Sequence, residues 1–304
     1  MKKKLIMLFC IVFILILSAC GQTSSNGDNP KNKEKKEKDE LKIASLSIHL
    51  TNDLLALGIT PIGSVIGGDL KDFLPHVKDQ LKDTKKLGPV KDPDMEALLS
   101  LNPSVIYLDE EFSGKDVSKY EKIAPTHVFN LDDGTWRDHL KTIGKLVDRE
   151  KQAEKFIADY EEQTKRVQGL IKNEIGEDSK VMAIRVAAKE LRVFGTKRPM
   201  GPILFQDLGL NPANGVEDID KSQPYEVISQ EVLPDFDADA IFVIVNRDDE
   251  SQTAFKELEG TPIWKGLKAV KGKHVYVIPD QPWLDYSALG NKMAMDNAEE
   301  IFSK

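Results

Sequence analysis

Cysteine is almost absent from this chain: of 304 residues only Cys10 and Cys20 are cysteine, and both lie near the amino terminus. From residue 21 onward there is therefore no disulfide and no thiol chemistry. A body of this length holds together without cross-links because its core is large enough. Apolar residues are missing altogether from residues 21–40, GQTSSNGDNPKNKEKKEKDE, so this stretch buries nothing and is expected to be a disordered tether. Positive charge is in deficit, with 42 Lys and Arg against 50 Asp and Glu. That balance argues against nucleic acid as a partner, since phosphate binding needs a basic face. Catalytic signatures are missing too: there is no Gly-x-Ser-x-Gly elbow, no His-Glu-x-x-His and no phosphate loop. The acidic pairs Asp132-Asp133 and Asp248-Asp249 fall in turns, where such pairs are solvated. Nothing in these residues argues for an enzyme.

Histidine is scarce as well. The five are His49, His76, His127, His139 and His274, with no His-x-His. Direct capture of zinc or manganese needs about three histidines and a carboxylate converging on one place. His76 falls in a charged, helix-like stretch and His139 on an expected helix surface, which leaves only His49 and His127 near strand ends. Direct metal capture is thereby disfavoured.

What is present begins at the amino terminus. Lys2, Lys3 and Lys4 precede an unbroken apolar run from residue 5 to 17, and Leu17-Ser18-Ala19-Cys20 follows. The run is shorter than the ~20 residues a membrane span needs, and its flanks are those of a cleaved signal. A thiol directly after Leu-Ser-Ala is what lipoprotein processing uses, because the lipid is attached through that sulfur. Residues 1–20 are therefore expected to be a lipoprotein signal peptide, with the mature chain anchored through Cys20 on the extracytoplasmic side of a bacterial cell membrane. Removing the three signal lysines leaves 39 basic against 50 acidic residues, a net charge of −11.

From Leu41 onward, apolar strand-like runs alternate with helix-like stretches, the pattern of an α/β fold. Strands are expected at 42–46, 61–65, 105–108 and 127–130, then at 181–187, 191–194, 240–245 and 274–278. The two halves echo each other. Leu57-Gly58-Ile59-Thr60-Pro61 matches Leu208-Gly209-Leu210-Asn211-Pro212, and Glu96 and Glu231 each precede a buried strand by nine residues. Between the halves, residues 153, 156, 157, 160, 167, 170 and 171 keep an apolar face at helical spacing. Asp148 is the expected N-cap and Gly176 the stop. A helix of ~25 residues at ~1.5 Å each is long enough to cross between two lobes. The expected organisation is an α/β lobe at 41–147, a linker helix at 148–175 and a second α/β lobe at 176–304, with a ligand cleft between the lobes.

These segments, with KLGPVKDPDMEALLSLNPSVIYL, IRVAAKELRVFG, PMGPILFQDLGLNP and YEVISQEVLPDFDADAIFVI, resemble the helix-linked (class III) substrate-binding proteins of ABC importers for iron–siderophores. The resemblance covers roughly residues 41–304. It implies that Glu96 and Glu231 dock on the transmembrane permease, which works with its ATPase. It also implies a ferric siderophore held in the cleft. The Fe(III) in such a complex is already satisfied by the siderophore's own oxygens, so the protein needs cationic donors and aromatic walls rather than metal ligands or a resident cofactor.

By the same resemblance this hairpin and loop contribute cleft residues, so Arg185 in its strand, Arg192 on the return strand and Arg198 in the following loop are the candidate cations of the second half. Lys91, after the Gly88-Pro89-Val90 turn, and Phe112 and Lys115, beyond the strand end at Leu108, are the first-half candidates. Asp109, Glu110 and Glu111 lie beside them and suit an anionic ligand poorly. Trp283 and Tyr286, in a loop after the last strand, are candidate aromatic walls, whereas Trp136 and Trp264 read as packed aromatics. The acidic stretch leans the ligand towards a hydroxamate or mixed citrate-hydroxamate siderophore. Haem and cobalamin leave no short motif and stay open on this reading.

Overall fold

The computed structural model describes residues 41–67, 71–113 and 117–304. Cys20, the expected signal peptide and the expected tether lie outside these residues, as does Lys115. The first sheet is built from β1 (Ile43–Ser45), β2 (Gly63–Ile66), β3 (Lys85–Pro89), β4 (Val105–Asp109) and β5 (Thr126–Phe129), in the order β3-β2-β1-β4-β5. Every pairing in it is parallel. Its crossovers carry α1 (Ile48–Ala56), α2 (Met95–Ser100), α3 (Glu110–Ser113) and α4 (Ser118–Glu121), and α5 (Trp136–Leu146) follows β5. Parallel strands need such crossovers, and the helices bury both faces, which is why residues 105–108 of β4 read as an uninterrupted apolar run before Asp109.

The linker α6 runs from Glu150 to Ile175. Asp148 is not its cap. That residue adopts φ +55° and the helix begins after Arg149 with no side-chain cap, so the chain turns sharply out of α5 before the new helix starts. Gly176, at φ +100°, ends it. Ala153, Ile157, Tyr160, Val167, Ile171 and Ile175 are buried along one side.

The second sheet uses β6 (Lys180–Ala187), β7 (Glu190–Phe194), β9 (Tyr225–Ile228), β10 (Ala240–Val245) and β11 (Val275–Ile278), in the order β11-β10-β6-β7-β9. The short β8 (Asn211–Pro212) pairs with the start of β6. Unlike the first sheet it is mixed, because β6 turns straight back into β7 as a hairpin and β9 is antiparallel to β7. Helices α7 (Asp249–Gly260), α8 (Pro262–Gly266), α9 (Lys268–Gly272), α10 (Asp280–Trp283) and α11 (Ala288–Phe302) complete this half.

The repeat seen in the sequence has a backbone counterpart. Gly58 and Gly209 both take positive φ, each just beyond the end of a helix. Asn102 and Asp237, each six residues beyond its glutamate, are both left-handed (φ +47° and +45°) at the turn into β4 and β10. Asn and Asp are the non-glycine residues that tolerate this conformation best. The segments differ in one respect. Glu96 sits in an α-helix, whereas Glu231 sits in a 3-10 helix that contains Pro234 and so lacks one backbone donor.

One apolar core runs through both lobes. It joins Ile43 and Tyr107 of the first sheet to Leu140, Ile157 and Tyr160, and continues to Ala183, Phe242 and the α11 residues Ala294 and Ala298. The outer face of each sheet has a separate cluster.

Candidate functional site

Between the lobes, first-lobe loops beyond the carboxyl ends of β4 and β5 meet the second-lobe loop after β7, which lies at the amino-terminal edge of β6, β10 and β11 because β7 runs antiparallel to them. From the second lobe, the loop after β7 presents Lys197 and Arg198. Gly201 makes this loop possible, since a Cβ there would come within 2.1 Å of the Thr196 backbone. Tyr286, between α10 and α11, lies beneath the guanidinium, with Arg198 Cζ 4.1 Å from the ring centroid. From the first lobe come Glu111, in α3 just beyond β4, and Asp132, in the loop after β5. Arg198 Nε donates to Asp132 Oδ1 at 2.9 Å and Nη2 to Glu111 Oε2 at 3.1 Å, so one cation bridges the lobes. The hydrogen bond from Arg198 holds the Asp132 carboxyl below its ordinary range, and burial raises the Tyr286 phenol.

Two adjoining cavities share these residues. The outer one, of about 450 Å³, has Lys197, Arg198 and Lys221 on the second-lobe wall and Glu111 and Asp132 on the first-lobe wall. The inner one, of about 160 Å³, continues past Tyr286 to His49, Asp53, Trp136, Arg137 and His139. Arg137 Nη1 lies 3.0 Å from Asp207 Oδ1, and the Tyr160 hydroxyl of the linker donates to Asp207 Oδ2 at 2.7 Å. Burial pulls the His139 imidazole below its ordinary range.

Under this cleft is a set of contacts that the sequence did not announce. Asp285, fully buried, takes His49 Nδ1 at 3.1 Å and the Ser287 backbone N–H at 3.1 Å on Oδ1, and Asn52 Nδ2 at 2.6 Å and His76 Nε2 at 2.9 Å on Oδ2. The neighbouring Asp53 is equally buried but receives the Ala288 N–H at 2.7 Å. The two carboxyls are driven apart. Burial tends to raise Asp285, but hydrogen bonds from His49 and His76 outweigh it and hold the carboxylate well below its usual range. Asp53, raised chiefly by burial, is pushed up to about 8.

Of the sequence candidates, Arg198 and Tyr286 line the cleft. Trp283 does not: it is 0 % exposed, packs on Phe242 with ring centroids 5.8 Å apart and donates Nε1–H to Asn297, so its bulk fills the core beneath α11. Arg185 donates to Asn246 at 2.7 Å, and Arg192 is paired with Glu190 and stacked over Tyr225. Neither lines either cavity, because the β6–β7 hairpin holds both within its own sheet. Lys91 is exposed beyond β3, and Phe112, half-buried in α3, leaves the cleft position to its neighbour Glu111. His76 occupies a turn rather than a helix, and His139 faces the inner cavity rather than solvent. Asp132, read as a solvated turn acid, and Lys197 were findable from strand-end position alone. His76 and Asp285 were not, being 209 residues apart in sequence.

Glu96 and Glu231 are both exposed, on separate lobes. Serine and backbone hydrogen bonds keep Glu231 ionised below its ordinary range.

The profile described as periplasmic binding protein matches residues 43–282 of this chain. The chain belongs to the periplasmic binding protein family. Family members are binding proteins, and among curated relatives the chain is similar to the Bacillus subtilis (strain 168) protein named "Probable siderophore-binding lipoprotein YfiY". The two are 30 % identical over 329 residues, covering 100 % of this chain and 99 % of that one. It is 27 % identical to the iron(3+)-hydroxamate-binding protein YxeB of the same organism over 321 residues, covering 100 % and 98 %. Among solved structures it superposes on the triscatecholate siderophore-binding protein FeuA from Bacillus subtilis complexed with ferri-bacillibactin. There the TM-score is 0.70 at 29 % identity, covering 87 % of this chain and 93 % of that one. Two α/β lobes joined by one long helix are the shared architecture.

Proposed function

We propose that this periplasmic binding protein is the lipid-anchored receptor of an ABC importer, holding a ferric siderophore between its lobes and presenting it to the permease. The observation that carries the reading is Arg198 on Tyr286, flanked by Lys197 and Lys221, at the mouth of an inter-lobe cleft. A guanidinium backed by an aromatic ring suits an oxygen-rich ferric complex with an organic backbone. The relatives named for siderophores support the same ligand. The iron travels as cargo inside its chelate, so no resident cofactor is required. The lipobox ending at Cys20 and a relative named as a lipoprotein support anchoring on the extracytoplasmic face of the cell membrane. The two exposed glutamates, one per lobe, are the proposed permease contacts.

Within that class the first-lobe wall favours a hydroxamate or mixed citrate-hydroxamate ligand. A ferric trihydroxamate core is neutral, whereas a ferric tris-catecholate core is strongly anionic and would face Glu111 and Asp132. The test is fluorescence quenching with ferrioxamine B, ferric citrate and ferri-bacillibactin, alongside haemin, cobalamin and Zn²⁺. Saturable submicromolar quenching by a ferric siderophore, lost on Arg198→Ala, is the expected result. Silence towards every siderophore with a response to haemin, cobalamin or zinc would overturn the ligand.

A further inference from the structure

We propose that Asp285 is a positioning residue that pins the two lobes at their relative angle and seats the aromatic wall of the cleft. Asp285 belongs to the second lobe, yet three of its four hydrogen-bond donors are first-lobe side chains: His49 and Asn52 of α1, and His76 of the turn after β2. A carboxylate has about four lone-pair positions, and here all are filled, the last by Ser287 N–H. Saturation has two consequences. The cluster of two histidines and one aspartate is wired as a closed hydrogen-bond network, with no carboxylate lone pair left to offer a metal ion. And any rotation of one lobe against the other must strip donors from a fully buried charge, which is far costlier than breaking a surface pair.

The groups facing the pin come from every element around it: His49, Asn52 and Asp53 from α1, His76 from its turn, and Tyr286 and Ser287 from its own segment. The pin reaches the cleft through His49, whose ring stacks on Tyr286 at 3.4 Å with 25° between planes. Tyr286 carries Arg198 on its ring. Asp285 thus acts on the ligand wall without touching the ligand. Its own position is set by Gly290 in the first turn of α11, where a Cβ would lie 2.4 Å from Asp285 Cγ and 2.3 Å from its carbonyl oxygen. Because these are backbone and short side-chain atoms, a methyl group at 290 must move Asp285.

The test is an inter-lobe distance measurement. Spin labels on Lys91→Cys and Lys189→Cys, both exposed and outside the cavities, report on the full chain in detergent with Cys10→Ser and Cys20→Ser. The parent is expected to give one narrow distance distribution. Asp285→Asn and, independently, Gly290→Ala are expected to broaden it and shift its mean. His76→Gln, which keeps an N–H donor towards Asp285, is expected to retain the parental distribution. Each variant is compared only after a cooperative melt shows that it is folded. Where Asp285→Asn does not fold, Asn52→Leu takes its place with the same expected shift. Parental distributions in the folded Asp285→Asn (or Asn52→Leu) and Gly290→Ala proteins would overturn the proposal and leave the angle to α6 alone.

Discussion

Asp53→Asn should make the protein more stable, and more so as the pH rises. Asp53 is fully buried and its carboxyl is raised from the ordinary 3.8 to about 8, chiefly by burial. In the folded protein it therefore keeps its proton to about pH 8, while in the unfolded chain it ionises near pH 4. Between those limits the unfolded state binds fewer protons, so stability falls by ~1.4 kcal/mol per pH unit as pH rises and levels off above pH 8. Over the whole window this is on the order of 5 kcal/mol, of which roughly 4 kcal/mol falls between pH 5 and 8. Asparagine cannot ionise, and its side-chain oxygen can still accept the Ala288 N–H. The assay is urea unfolding of both proteins from pH 5 to 8.5, read as the difference between them, which cancels titrating groups common to both. The variant's advantage should grow with pH, equivalent to about 2–4 °C in melting temperature for each kcal/mol. Parallel stability curves would show that Asp53 is ionised in the folded protein and would refute the reasoning.

Arg198→Ala should weaken ferric-siderophore binding by roughly 10- to 100-fold, the scale of losing a charged hydrogen bond of about 1.5–3 kcal/mol. Arg192→Ala, whose partner is Glu190, should leave it unchanged; titration calorimetry on both variants separates the two arginines. Glu96→Ala combined with Glu231→Ala should abolish uptake by cells while leaving affinity intact, and a loss of binding in that variant would rule out the docking role. Scattering profiles with and without ligand should show only a small closure, because the linker is a helix packed into the core; a large compaction would count against it.

Much of the architecture was legible because it follows from local rules. The alternation of apolar runs marked the buried strands, the 3.6-residue spacing marked α6, and the paired glutamates marked two equivalent turns. What misled was local as well. Asp148 has the chemistry of an N-cap but lies where the backbone must turn left-handed out of α5. The aromatic-rich loop at 280–286 divides its two rings between opposite environments. Trp283 is driven into the core by its area, and Tyr286 is held at the cleft between His49 and Arg198. Arg185 and Arg198 are equally cationic in the sequence, and only the fold tells a residue inside a sheet from one on a strand-end loop. The Asp285 network joins segments more than 200 residues apart, and no periodicity or spacing encodes such a meeting.

Helix α11 packs on α1, α5 and α6, and its first residue N–H is bound by Asp53 of α1. The first lobe's core is therefore sealed by residues 288–302, which follow all five of its strands in the chain. A chain carrying all of β1 to β5 but not α11 lacks the piece that closes its core. The same arrangement means that the lobes cannot be parted into independently folding halves: a cut within α6 would leave each fragment with half of a shared core facing water.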